Sequence, residues 1–134
     1  DLLYPVAFRE AAERAHARAC PIIETEREVF QMDHTEVGGI LGEHWNLPEV
    51  IVEAIRLHHG PASATINPKL TAMISVANYV TYAADLGESS NGCPPEFPES
   101  AADILNLSRE ECDGLSAELL ENHARIDDFL GALE

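Results

Sequence analysis

The stretch DHTEVGGILGEHWNLPEVIVEAIRLHH, Asp33 to His59, places His34 at the start of one helical pattern and the adjacent pair His58 and His59 at the end of the next. Imidazole nitrogens brought together from neighbouring helices can hold zinc, iron or manganese, and helical bundles build such sites from inward-facing side chains. Residues three, four, seven and eight apart share a helix face. On that rule His34 is in register with Val37 and Leu41, and His58 and His59 flank the stripe that contains Ile55. Asn78 is in register with Ile74 and Leu70. His34, His58, His59 and Asn78 are therefore expected on core-facing positions of three successive helices. A buried polar group without a partner costs about 1–3 kcal/mol, so each needs a hydrogen bond, a water or a metal. Two readings follow from the residues alone: a metal centre, or a polar core whose histidines are bonded to backbone carbonyls or carboxylates.

Other polar residues carry less chemistry. His44 beside Trp45 reads as partly exposed or packing, and His16 and His123 are lone histidines on charged helices. Glu24, Glu26, Glu28 and Glu36 supply carboxylates, but a glutamate-rich helix is ordinarily a solvated face. No Ser, Cys or Gly motif marks a nucleophile or a phosphate loop.

The elements that must position these residues are helical. PVAFREAAERAHARAC is amphipathic until Pro21, and a short helical turn is expected over Glu24 to Phe30. Asp33 with Glu36 has the spacing of a capping box, and the apolar Val37, Ile40, Leu41 and Trp45 follow at i, i+3, i+4 and i+8. NLP separates this helix from the next, whose stripe is Ile51, Val52 and Ile55. Gly60 and Pro61 end that helix, and Asn67 with Pro68 opens another, from Lys69 to about Leu86, with Leu70, Ile74, Ala77 and Thr81 on one face. Gly87 to Ser100 is rich in Gly, Pro and Ser and reads as a surface loop. A short helix over Ala101 to Leu105 precedes a second capping box, Ser108 with Glu111. The last helix repeats Cys112, Leu115, Leu119, Asn122, Ile126 and Phe129. The expectation is an all-α bundle of about six helices, one domain over residues 1–134.

Charge and composition narrow the partners. Lys and Arg number 8 against 24 Asp and Glu, a net charge of −16, and the basic residues are dispersed. Such a chain repels phosphate backbones and anionic lipid, so neither nucleic acid nor membrane is expected as a partner. The 3 cysteines, Cys20, Cys93 and Cys112, form no CxxC pair, which suits reduced thiols in a cytoplasm. No apolar run approaches the roughly 18 residues of a membrane span. The chain starts at DLLYPVAF, with apolar residues directly after Asp1 and no initiator Met, which reads as a piece of something longer.

With these motifs in view, the run DHTEVGGILGEHWNLPEVIVEAIRLHHGP resembles the HDOD domain, a relative of the HD-GYP and other HD-superfamily phosphohydrolases of bacterial signalling proteins. The resemblance rests on E-x-E, D-H-x-E-V-G, W-x-L-P, I-x-x-H-H and the later ISVANYV, across residues 24 to 80. It implies an HD-superfamily-like helical bundle lacking its N-terminal part. In the HD-GYP enzymes the histidines matching His34, His58 and His59 are ligands of a two- or three-metal centre, completed by an aspartate at the position of Asn78. The sequence departs from that pattern. The His-Asp dyad that names the superfamily lies upstream of the region where the chain begins, with Asp1 a candidate remnant. Asn78 replaces an anionic ligand by a neutral one, and GPASATINP stands where the enzymes carry a Glu and a Gly-Tyr-Pro signature.

The resemblance therefore implies a non-catalytic regulatory module of bacterial signal transduction, acting through a protein partner or a fused signalling domain. His34, His58, His59 and Asn78 are then vestigial metal-site positions. No cofactor is expected, though His34, His58 and His59 are compatible with a residual divalent zinc, iron or manganese ion. The alternative is a metal-dependent phosphohydrolase acting on a cyclic dinucleotide or nucleotide. The 87–100 loop is a candidate contact surface for a neutral or basic partner.

Overall fold

The computed structural model describes residues 5–84, 86 and 96–123. Within them the chain forms helices α1 (Pro5–Arg18), α2 (Ile22–Phe30), α3 (His34–His44), α4 (Glu49–Leu57), α5 (Pro68–Ala83), α6 (Glu99–Leu105) and α7 (Arg109–Glu121), with a 3-10 turn at Pro61–Ser63. No strand occurs among the described residues. The all-α expectation holds, with seven helices rather than about six. Cys93, Ile126, Phe129, Asp1 and most of the 87–100 loop lie outside the described residues.

Local chemistry sets the helix ends as the sequence predicts. Asp33 accepts from the backbone N–H groups of Thr35 and Glu36, and Glu36 reaches back to the Asp33 N–H, completing a capping box. Ser108 and Glu111 form the second box. Asn67 caps α5 by accepting from Leu70 N–H at 3.1 Å, with Pro68 in the first turn, where its missing N–H costs nothing. Asn46 ends the α3 region at φ 55°, a left-handed conformation that asparagine tolerates better than most residues.

The helices pack in consecutive layers: α1 on α2, α3 on α4, and α5 on α4, α6 and α7. Small residues make the close approaches. Ala11 and Ala15 are fully buried on α1, and the buried Thr25 hydroxyl donates to Ala11 O at 2.8 Å, joining α2 to α1. On α3 the glycines face α4: a Cβ at Gly38 would lie 2.7 Å from Ile55 Cγ2, and one at Gly42 would lie 3.2 Å from Val52 Cγ2. The main core gathers Ala72, Val76 and Val80 of α5 with Ala101 of α6 and Cys112 of α7, flanked by Tyr79, Phe97 and Leu119.

This small-residue packing overturns part of the expected core. With Gly38, Gly39 and Gly42 at the α3–α4 contact, the large apolar side chains of α3 and of its C-cap Trp45 remain exposed. Val37 is 43% exposed, Ile40 50%, Leu41 41% and Trp45 64%. On α5 the buried side is Thr71, Ala72, Ser75, Val76 and Val80, so Ile74, Ala77, Asn78 and Thr81 stand exposed and Leu70 is half-buried. Ile51 of α4 is exposed as well, whereas Val52 is buried and Ile55 half-buried. On α7, Cys112 and Ser116 are buried while Leu115 is exposed. No described helix is long and apolar enough to cross a membrane.

Candidate metal centre

Two helix junctions build the site. The α2–α3 turn fixes His34 at the first position of α3, and the end of α4 presents His58 and His59. The three rings converge, with centroids 5.5 Å apart for His34 and His58, 5.0 Å for His34 and His59, and 4.2 Å for His58 and His59. One nitrogen from each ring can be chosen so that all three lie within 4.8 Å of one another, which makes this trio a group able to hold an ion among the described residues. It sits nearer the surface than expected: His34 and His59 are exposed and His58 is half-buried. Asn78, expected to face the core with them, is on the exposed side of α5, and its backbone carbonyl accepts from the Thr81 hydroxyl at 3.2 Å.

Hydrogen bonds on the far side of two rings set their orientation. Glu26 Oε2 lies 2.6 Å from His34 Nδ1 and also accepts the His34 backbone N–H at 3.0 Å. A carboxylate only accepts, so His34 Nδ1 carries the proton and Nε2 turns toward His59 Nε2, 3.0 Å away. Two bare lone pairs at that distance would repel, so a proton lies between them. His58 Nδ1 donates to Ile55 O at 2.9 Å, which leaves its Nε2 as an acceptor. A ligating histidine is ordinarily held in this way, with its second nitrogen donating to a carboxylate or a backbone carbonyl.

The charge states differ within the trio. The bond to Glu26 raises the His34 pKa against the opposing effect of burial. Burial lowers that of His58, and a proton on His34 would lower it further. Burial against the neighbouring rings, with repulsion from His58 and His34, brings His59 down to about 4 although its outer edge is exposed. His59 is thus neutral near pH 7 and can offer a lone pair.

The remaining candidates do other work. Asp33 is buried, caps α3 and receives Arg27 Nε at 2.8 Å. Burial works against its charge, but bonds from Thr35, Glu36 and Arg27 outweigh that and hold it at about 2. Glu28 pairs with Arg18 at 2.7 Å. Glu24, Glu36, His16 and His44 are exposed, and His123 is half-buried. Glu26, expected on a solvated glutamate face, is instead buried, its side chain only 6% exposed. The available signal was its place in the E-x-E motif ahead of the Asp-His pair.

The trio fits one divalent ion of the kind imidazole prefers. His34, His58 and His59 would hold it, and it would supply Lewis acidity to a bound water or anion. The donor set is three neutral rings, and Glu26 is already engaged on the side of His34 away from the cluster.

Comparison with known proteins agrees with the motifs. The chain is 26% identical over 120 residues to an uncharacterized protein of Treponema pallidum (strain Nichols), an alignment that covers 89% of this chain and 23% of that protein. The chain thus spans about a quarter of the length of this relative. No solved structure matches it. The family model of the HDOD domain matches residues 2–61, from ahead of α1 to just past His59, and stops before the ISVANYV helix. The family indicated by the histidine motifs is therefore found over residues 2–61, and that segment is HDOD domain sequence.

Proposed function

We propose that this chain is a non-catalytic regulatory module of a bacterial signal-transduction protein, working in the cytoplasm through contacts with a protein partner or a fused signalling domain. The observation that carries the reading is the exposure of four large apolar side chains along α3 and its C-cap, Val37, Ile40, Leu41 and Trp45. Large apolar side chains exposed in number within a short segment, rather than scattered singly, favour an interaction site. The net charge of −16, with exposed Glu36 on the same helix, favours a partner surface that is neutral or basic.

The histidine trio supports the non-catalytic part. A pair of divalent ions about 3.5–4 Å apart needs anionic ligands to offset their charge. Among the described residues, three imidazoles with an amide on another face offer none, a donor set suited to one ion rather than two, and this favours the non-catalytic reading over a metal-dependent phosphodiesterase.

Two measurements test the reading. Turnover of cyclic dinucleotides and generic phosphodiesters is assayed with added manganese, iron or zinc, and none is expected. Metal-dependent turnover that vanishes in His58→Ala would overturn the non-catalytic reading. Pull-down with the natural chain and with Leu41→Asp, at low and high salt, should lose the partner in the variant. An unchanged partner set would remove the α3 face from the proposal.

A further inference from the structure

Two consecutive residues of α2 hold two consecutive residues at the start of α3. Glu26 takes both the backbone N–H and the ring Nδ1 of His34, at 3.0 and 2.6 Å, while Arg27 binds Asp33 through Nε at 2.8 Å and through its terminal nitrogen at 2.7 Å. The Glu26 contact is a two-point clamp on one residue, made by a side chain that is almost entirely sheltered from water. A charge-assisted bond in such a place is shorter and about twice as strong as a neutral one. Only one rotation of the His34 ring satisfies it.

We infer that Glu26 is the positioning residue of the histidine trio, fixing the His34 tautomer and ring so that Nε2 is presented, with His58 and His59, to a single cation of borderline softness such as zinc. The inference rests on the reading of the trio as a one-ion donor set. His58 is fixed in the same sense by Ile55 O, so two nitrogens are preset, and His59, with an exposed edge, adjusts. Imidazole donors without a carboxylate favour zinc over magnesium, calcium or manganese, which prefer oxygen ligands.

The test is zinc affinity, measured against a chromophoric chelator, in the natural chain and in Glu26→Gln, with thermal midpoints of both metal-free proteins. Gln keeps the shape and can still accept from the His34 backbone, so a merely structural role would move the midpoint and not the affinity. The expected result is one zinc per natural chain, no competition from equal magnesium, and an affinity about 10–100-fold lower in Glu26→Gln at a similar midpoint. Equal zinc affinity in the variant overturns the role of Glu26 and leaves the donor set standing. No zinc uptake by the natural chain overturns the donor set and this inference together. A readout independent of any variant is the 15N spectrum of the metal-free natural chain above pH 8, where His34 is expected with its proton on Nδ1. A proton on Nε2 would overturn the inference.

Discussion

Glu53 Oε2 accepts the backbone N–H of Asn67 at 2.7 Å, and the same carboxylate takes Ile66 N–H at 2.8 Å and Thr65 N–H at 2.6 Å. A buried acid of α4 thus organises the segment that leads into α5. Burial disfavours its charge, but the three backbone donors prevail and its pKa is lowered. Glu53→Gln sets an amide donor against backbone donors at one of the two oxygen positions. It should lower the thermal midpoint and speed amide hydrogen exchange at residues 65–67. Unchanged exchange there would show that the carboxylate does not hold the segment.

The glycines predict effects of opposite sign. In Gly38→Ala the new methyl lies 2.7 Å from Ile55 Cγ2, against a side chain packed in the α3–α4 contact, and a loss of about 1–3 kcal/mol is expected. Gly114 is exposed within α7 with nothing within 4 Å of a new methyl, so Gly114→Ala should gain about 0.5–1 kcal/mol. Chemical denaturation of both variants checks the pair, and a neutral Gly38→Ala would mean that α3 and α4 can move apart freely.

Acid should act on Asp33. Its folded pKa is depressed to about 2 from an ordinary 3.8, so its contribution is complete above the unfolded value and is lost as pH falls through the folded one. That places the loss between about pH 4 and pH 2, with about 2 kcal/mol at stake. Asp33→Asn should flatten the stability profile in this window. A variant profile as steep as the natural one would assign the acid loss to other carboxylates.

Thr25 joins α2 to α1 through its hydroxyl, 2.8 Å from Ala11 O, and is fully buried. Thr25→Val keeps the shape and removes that bond, with an expected loss of about 1 kcal/mol. Thr25→Ser retains the donor and should recover that bond while losing a methyl contact. A Thr25→Val protein as stable as the natural one would show that apolar packing alone sets the hairpin.

Short-range chemistry made the helices and their ends legible in the sequence. Asp33 with Glu36, Ser108 with Glu111, and Asn67 ahead of Pro68 act within a few residues, and each cap forms as its spacing predicts. The convergence of His34, His58 and His59 was also legible, because α3 and α4 are joined by a short turn and each histidine lies at a helix end. What the sequence alone did not decide was which face of each helix is buried. Large apolar residues marked one side of α3 and α5, yet Gly38 and Gly42, and Ala72 and Val76, make the contacts. Close approach of two backbones depends on the residues of both helices at once, and no periodicity within one helix encodes it. The same reason hid Glu26 and Glu53. Each is an acid on a charged helix until tertiary packing brings a ring or a row of backbone N–H groups to its carboxylate.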